Sequence, residues 1–217
     1  MARVQNALGR TGPPALTTPR PELVDALVRQ VAADDPNRVA RFIERAGKNG
    51  VTVRQAAPPA ILAILDEFLS PYSVERLLIN AGAWEAQLGL HAHFTAAGKT
   101  VVRWGDTNCS ADAFDCQAAI TDCRYGLADT GAFLVASSPT FGRSSTLTPP
   151  VHIVLLPRED ILADMVDGLA AIARESGPLL PSNVVIINGP SKTSDIESNL
   201  VTGVHGPKYV YAVVIDG

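Results

Sequence analysis

The sequence predicts an α/β protein whose sheet is largely parallel and covered on both faces. Apolar segments of strand length alternate with segments of helix length along most of the chain. The segments at 151–157 and 183–188 are nearly continuous apolar runs, which is typical of strands buried on both faces. The chain has 217 residues and is 47% hydrophobic, so it can bury one substantial core.

The N-terminal residues are predicted to differ from the rest of the chain. Residues 1–20 include the stretch GRTGPPALTTPRP, which has little apolar surface to bury, and we expect a flexible N-terminal arm there. Residues 21–217 are expected to form a single α/β domain. Its first helix would have Leu23, Leu27 and Val31 on one face.

The remaining elements follow from apolar spacing and turn residues. Helices are predicted where apolar residues recur three or four positions apart, and strands where apolar runs end at Gly, Pro, Asn or Asp. One helix begins at Pro36 and ends at Gly47, and another begins at Pro58. The other predicted elements are strands at 51–54 and 76–80, a helical segment at 83–90, strands at 100–104, 132–137 and 151–157, a helix at 160–173, and strands at 183–188 and 209–216.

Composition excludes several classes of function. The net charge is −4 and the basic residues are dispersed, so no nucleic-acid binding is expected. The N-terminus lacks the apolar core of a signal peptide and the densest apolar stretch, AILAIL, is too short to span a bilayer, so we expect a cytoplasmic protein that does not enter membranes. The three cysteines, Cys109, Cys116 and Cys123, are expected to be free thiols.

No cofactor or metal site is predicted. The segments GKT at 98–100 and GPSKT at 189–193 each lack a glycine that a P-loop requires, and no G-x-G-x-x-G occurs. His91 and His93 would share one face only on a strand, and the sequence offers no third ligand beside them.

Parallel sheets bind ligands at the carboxyl ends of their strands, which directs attention to loops after Ile187, after Ser137 and around 121–131. In the last loop, Asp129 precedes Thr130 within the nearly uncharged run YGLADTGAFLVA. A buried charge there would need partners or an elevated pKa, so Asp129 is a candidate catalytic residue. Alternatively, Asp129 accepts backbone hydrogen bonds in an Asx-type turn ahead of the next strand.

A second candidate lies in the polar segment 137–150, which is long for a simple connection. It contains Arg143, whose guanidinium could bind a carboxylate or a phosphate. The alternative is an arginine on a solvated loop tip.

A third group of candidates lies in NGPSKTSDIE at 188–197 and in the turn that follows it. Its second half, Ser194 to Glu197, is a capping box that predicts a short helix through Val201. Capping leaves three residues before this box and one histidine unexplained, so we interpret them as possible ligand contacts: Ser191, Lys192, Thr193 and His205.

Three segments in the second half of the chain carry a family resemblance. They are TDCRYGLADTGAFLV at 121–135, GRSSTLTPPVHIVLLPREDI at 142–161 and INGPSKTSDIESNLVTGVHGPKYVYAVVID at 187–216. In order and spacing they resemble the signatures of the LUD domain, the lactate-utilisation protein C family. The matching positions include Thr121, Thr130, Arg143, His152, Ser191, Thr193 and His205.

The resemblance implies a three-layer α/β sandwich similar to the glucosamine-phosphate isomerase, ribose-phosphate isomerase and CoA-transferase group. It also implies a role with two iron–sulfur proteins in oxidising lactate to pyruvate, with this chain as the component that has no cluster. The family usually has glutamate where this chain has Asp129, one methylene shorter, which favours a binding or structural role over a catalytic one that needs fixed reach.

Three hypotheses follow for function. The first is a component of a lactate-oxidising system that binds a small organic acid or a partner. The second is a stand-alone isomerase-like or acyl-transferase-like enzyme on a phosphorylated or CoA-linked acid, with Asp129 as base or nucleophile and Arg143 as anion clamp. The third is a metabolite-responsive interaction protein without catalysis.

Overall fold

The computed structural model describes residue 29 and residues 31–105, 109–177, 180–194 and 200–217, leaving out the side chains at 109, 110, 193, 194 and 200–202. By their contacts, residues 1–30 group into one unit and residues 31–217 into another. The predicted N-terminal arm and nearly all of the helix predicted from Leu23 lie outside the described residues. The domain boundary near residue 21 therefore stays a prediction.

Helices and strands alternate along most of the described chain. In order they are α1 (Arg38–Lys48), β1 (Val51–Ala56), α2 (Ile61–Leu69), β2 (Arg76–Asn80), α3 (Ala83–Leu88), α4 (Leu90–Ala96), β3 (Thr100–Arg103), α5 (Cys109–Asp115), β4 (Ala118–Asp122), β5 (Tyr125–Leu127), β6 (Ala132–Ala136), α6 (Ser144–Leu147), β7 (Val151–Pro157), β8 (Ile161–Leu162), α7 (Met165–Ser176), β9 (Val184–Ile187), β10 (Lys192–Ser194), β11 (Leu200–Thr202) and β12 (Tyr209–Ile215). Short 3-10 turns precede α2 and β8.

Six strands form the central sheet in the order β1-β12-β7-β4-β2-β3, and every neighbouring pair is parallel. The prediction of a largely parallel sheet is confirmed. Strand β7 is buried at all of its positions, as its continuous apolar sequence predicts. Alternate residues of β7 serve different cores, with Ile153 and Leu155 on one face and Val154 and Leu156 on the other.

Helices pack on both faces of this sheet. On one face lie α2, α3 and α4, which contact it through Leu65, Phe68, Trp84 and Phe94. On the opposite face lie α1, through Phe42 and Ala46, and α5, through Ala113. Burial of these side chains on both faces is the main stabilising contribution, since a fully buried Leu or Phe contributes about 1.5–3 kcal/mol.

A second sheet completes the layer on the α1 face. Its strands lie in the order β8-β5-β6-β9, with β6 antiparallel to both of its neighbours. Phe133 of β6 packs edge-on against Phe42 of α1 with ring centroids 5.5 Å apart, and α7 covers the sheet through Ala171 and Ile172. The protein is thus a three-layer α/β sandwich, as the family resemblance implied.

The second sheet corrects one expectation. The strands predicted at 132–137 and 183–188 exist, as β6 and β9, but they do not belong to the parallel sheet. Strand β6 follows β5 after a short turn at 128–131, and a connection this short joins antiparallel strands only. The loops after Ser137 and Ile187 therefore do not follow strands of the parallel sheet.

Two predicted helices have different bounds. The helix predicted at 160–173 begins at Met165, because Asp164 caps it by accepting a hydrogen bond from the Asp167 backbone N–H at 3.0 Å. The helical segment predicted at 83–90 is two helices, because Gly89 interrupts it at φ +63°.

The helix predicted from the capping box does not extend through Val201. Lys192–Ser194 forms β10, which pairs antiparallel with β11 at Leu200–Thr202. Residues 195–199, where most of this helix was predicted, lie outside the described residues.

None of the described helices is long and apolar enough to cross a membrane. Cys116 and Cys123 are free thiols, as predicted, and burial raises the pKa of both. His91 and His93 lie on α4, where they diverge, and Nε2 of His93 is 2.9 Å from Oδ2 of Asp66.

Candidate functional site

The chain reverses its direction across the parallel sheet between β2 and β4. From β2 it proceeds to β3 at one edge, whereas from β4 it proceeds through β7 to β12 toward the other edge. A crevice forms outside the carboxyl ends of strands at such a switch point, and open α/β sheets bind ligands there. Strand β2 ends at Asn80, which is in register with Thr121, and β4 ends one residue later at Asp122.

A cavity of about 920 Å³ lies at these strand ends. Asn80 and Asp122 form one side of it, and the segment that follows β6 and the end of α7 form the other. Its polar lining consists mainly of hydroxyl groups, one carboxylate on β4 and one ion pair: Ser137, Ser138, Thr140, Asp122, Arg124 and Glu175.

Asp122 is the carboxylate at the end of β4, one of the two strands at the switch point. Burial raises its pKa to about 6, while its own backbone N–H and the positive charge of Arg124 act in the opposite direction. No other described residue donates a hydrogen bond to its side chain. Its Oδ2 faces Gly82, at φ +54°, where a Cβ would lie only 2.6 Å away. The absence of a side chain at position 82 thus gives the carboxylate its place.

Asn80 is fixed from beneath by helix α6. Its Nδ2 donates to Oγ of Ser145 at 2.9 Å, and that hydroxyl donates to the carbonyl of Gly142 at 2.7 Å. Gly142 in turn lies against the indole of Trp104, since a Cβ there would be 1.7 Å from ring atom Cζ2. These contacts connect the end of β2 to the segment that lines the cavity.

His152 lies beneath the site in β7. It is completely buried, and its Nε2 is 2.9 Å from Oγ1 of Thr121, the residue before Asp122. Burial lowers the pKa of His152 to about 4, so the ring is neutral near pH 7. Its Nδ1 has no partner among the residues that the structure describes.

Arg124 and Glu175 form the ion pair at the cavity rim. Nε of Arg124 donates to Oε2 of Glu175 at 2.7 Å, and the hydroxyl of Tyr125 donates to the other carboxylate oxygen. Burial, together with the hydrogen bond to Glu175, raises the pKa of Tyr125 to about 12. The guanidinium stays partly exposed, so it can also meet a ligand anion.

The sequence candidates Asp129 and Thr130 lie in the β5–β6 turn. The Asp129 N–H donates to the carbonyl of Ala163 at 3.0 Å, and Oγ1 of Thr130 donates to Oδ1 of Asp129 at 3.1 Å. Burial raises the pKa of Asp129, and local hydrogen bonds with Thr130 oppose that rise. The alternative considered from the sequence, an Asx-type turn, would use the Gly131 N–H, but that group donates to the Leu127 carbonyl at 2.7 Å.

Asn49, at the end of α1, brings two candidate loops together. Its Nδ2 donates to the Thr130 carbonyl at 2.7 Å and to Oδ1 of Asn188 at 2.6 Å. Nζ of Lys192 donates to the Asn49 carbonyl at 3.2 Å, where a cation also favours the helix C-terminus. Thr130 and Lys192 are therefore neighbours through Asn49, outside the cavity.

The other candidates fall into separate places. The backbone of Ser191 pairs with Pro207 and Gly203, which flank the exposed His205, near the start of β12. Arg143 is exposed at the start of α6, beside the Gly142–Trp104 contact at the other end of the sheet. No described hydrogen bond or ion pair joins Arg143 to Asp129, and the side chain of Thr193 lies outside the described residues.

Comparison with known proteins identifies the family of this chain. The LUD domain sequence pattern matches residues 39–215. This chain belongs to the LUD domain family. It is 36% identical over 163 residues to lactate utilization protein C of Bacillus subtilis, covering 70% of this chain and 68% of that protein. It is 36% identical over 126 residues to lactate utilization protein C of Bacillus licheniformis, covering 55% of this chain and only 52% of that protein.

A solved structure supports the fold. The crystal structure of a DUF162 family protein from Deinococcus radiodurans matches 82% of this chain and 96% of its own length, with a TM-score of 0.59 and 19% sequence identity. This likeness extends the three-layer architecture to another protein.

The sequence of this LUD domain did not point to Asp122 or Asn80. Asn80 ends a strand that was predicted correctly, but an asparagine at a strand end also suits an ordinary turn. Asp122 ends AAITD, a strand too rich in alanine to be recognised. The available signal was a carboxylate directly after a short apolar run, at a place where a ligand site is expected in an α/β sheet.

Proposed function

We propose that this LUD domain protein is a cytoplasmic component of a lactate-utilising system. In this role it has no iron–sulfur cluster of its own and works with iron–sulfur proteins that accept the electrons when lactate is oxidised to pyruvate. The names of its relatives in Bacillus subtilis and Bacillus licheniformis support this role. The alignment spans about half of the second relative, so partners and reaction are part of the proposal.

The lining of the cavity supports a 2-hydroxy acid as its ligand. A 2-hydroxy acid carries a hydroxyl group, which donates a hydrogen bond, next to a carboxylate. A protein site for it needs a hydrogen-bond acceptor for the hydroxyl and, beside it, a cation for the carboxylate. Asp122 and Arg124 line the same cavity and are close enough for the Arg124 charge to lower the pKa of Asp122. This juxtaposition is the observation on which the proposed ligand rests.

In the proposed binding mode, Asp122 accepts the hydroxyl hydrogen of lactate. The carboxylate of lactate faces Arg124 and the hydroxyl groups of Ser137 and Ser138. We assign the two outer groups of polar residues, around Asn49 and around His205, to partner docking, because they lie outside the cavity.

Calorimetry with L-lactate tests the ligand. Arg124→Gln should weaken lactate binding by about tenfold or more, because a hydrogen bond to a charged group is lost. Arg158→Gln is the matched control: its guanidinium is exposed to 51%, against 52% for Arg124, and it also pairs with one carboxylate, that of Asp216. Equal lactate affinities in the two variants would show that Arg124 does not bind the ligand.

Reconstitution tests the system. Lactate-dependent reduction of the iron–sulfur proteins should require this chain, and lactate at about 100 times its Kd should stabilise it by about 2.7 kcal/mol. Absence of lactate binding, together with electron transfer that proceeds without this chain, would refute the proposed function.

A further inference from the structure

Asp122 is a cavity-lining carboxylate that receives no hydrogen bond from any other residue that the structure describes. Its side chain is partly buried at the end of β4, and Gly82 opposite it offers no side chain. Neighbouring polar groups are engaged elsewhere, since Asn80 donates to Ser145 and Arg124 donates to Glu175. A partly buried carboxylate that receives no donor from any other described residue is completed by whatever occupies the cavity.

We propose that the protonation state of Asp122 decides whether the cavity prefers a 2-hydroxy acid or the corresponding 2-oxo acid. This inference rests on the proposed function and deepens it, because it names the residue that distinguishes the two forms of the ligand.

The chemistry of the two ligands supplies the reason. An ionised carboxylate is an acceptor only, so it pairs with the hydroxyl of a 2-hydroxy acid. The oxo group of a 2-oxo acid has no hydrogen, and facing an ionised carboxylate it leaves two acceptors opposed. A protonated carboxyl donates instead, and its O–H can bond the oxo oxygen. One proton on Asp122 therefore converts a mismatched contact into a hydrogen bond for the oxo acid.

The groups around Asp122 place this titration near neutral pH. Burial raises its pKa to about 6 and Arg124 holds it from rising further, while Arg124 and Tyr125 engage Glu175 on the far side of the cavity. The next charged side chain on α3 is Glu85, which pairs with Arg103 at 2.5 Å. Directly after β4, the adjacent Cys123 stays protonated, because burial raises its pKa, and His152 below is neutral.

The test is the affinity of the full chain for L-lactate and for pyruvate at about pH 5 and pH 8, where both ligands are anions. In the wild type, the ratio of the pyruvate Kd to the lactate Kd should be larger at pH 8 by about tenfold or more. Asp122→Asn should make the ratio independent of pH, because an amide offers a donor and an acceptor at every pH. Asp160→Asn, a nearby acid outside the cavity, should behave like the wild type.

A second measurement uses the wild type alone. Calorimetry near pH 6 in buffers of different ionisation enthalpy counts protons, and lactate binding should release protons whereas pyruvate binding should take them up. If lactate binds but the ratio is constant with pH, or if both ligands exchange protons with the same sign, the inference is wrong and the proposed function stands. If neither acid binds, both the inference and the proposed ligand fail.

Discussion

Gly82, just after β2, is in contact with Asp122 at the end of β4. A Cβ added at position 82 would lie only 2.6 Å from Oδ2 of Asp122. The contact is between a backbone and the free end of a side chain. A side chain at position 82 would therefore displace the carboxylate and would not disrupt the packing of the core.

Gly82→Ala should accordingly reduce lactate affinity as well as stability. Gly98→Ala is the control, because Gly98 also has a positive φ, +79°, but nothing lies within 4 Å of a Cβ there. Both variants should lose about 1–2 kcal/mol of unfolding free energy from backbone strain. Only Gly82→Ala should weaken lactate binding in calorimetry, and equal binding by the two variants would contradict the role of this contact.

Gly131 should tolerate no side chain. A Cβ there would lie 2.1 Å from the backbone nitrogen of Ala46, which cannot yield without moving α1. Gly131→Ala should cost more than about 3 kcal/mol or prevent folding, since overpacking and a positive φ act together. Gly47→Ala, in the exposed last turn of α1, should instead add about 0.5–1 kcal/mol. Urea denaturation of both variants measures these two opposite changes in the free energy of unfolding.

Asn49 should be a stability residue and not a ligand contact. Asn49→Ala removes the hydrogen bonds to the Thr130 carbonyl and to Asn188, and it should cost about 1–3 kcal/mol. Asn37→Ala, at the other end of α1 and without a side-chain cap, should change stability by less than about 0.5 kcal/mol. Lactate affinity should be unchanged in Asn49→Ala once it is folded, and a large loss would place the ligand near Asn49.

Asp122 and His152 should oppose each other in the pH dependence of stability. The pKa of His152 falls from 6.5 to about 4 on folding, so between these values the unfolded chain binds more protons and stability rises with pH. The pKa of Asp122 rises from 3.8 to about 6, so between these values the folded protein binds more protons and stability falls as pH rises.

Urea denaturation from pH 4 to 7 separates the two effects. Relative to the wild type, Asp122→Asn should gain up to about 2 kcal/mol near pH 7 and lose this gain toward pH 4. His152→Gln should show its greatest relative loss near pH 7, a loss that shrinks by up to about 3 kcal/mol toward pH 4. Curves that stay parallel to that of the wild type would show that neither group changes its pKa on folding.

Most strands could be predicted from the sequence because their apolar runs end abruptly. Strands β2 and β7 have the predicted bounds, since charged or turn residues flank each run. Strand β4 was missed, because its alanines have little preference for strands and only its position between β2 and β7 buries them. The capping box at Ser194 predicted a helix as far as Val201, but Leu200–Thr202 pairs with β10, and local patterns do not specify such a pairing partner.

The candidate site was harder to predict for a related reason. The expectation that ligands bind at strand ends was available, but the order of strands in the sheet was not. Asn80 and Asp122 become neighbours only because β4 lies beside β2, an order of strands that local patterns do not specify. Polar residues in the conspicuous loops were therefore favoured over a single carboxylate at the end of an inconspicuous strand.

The packing of Trp104 on Gly142 gives the protein an optical reporter. Trp104 is one of two tryptophans, and Gly142 directly follows Phe141, which lines the cavity. A ligand that shifts this segment changes the surroundings of the indole, so its emission should respond to occupancy. With Trp84 replaced by Phe, a single emitter would remain, and titrations could be followed in real time without a dye or a coupled reaction.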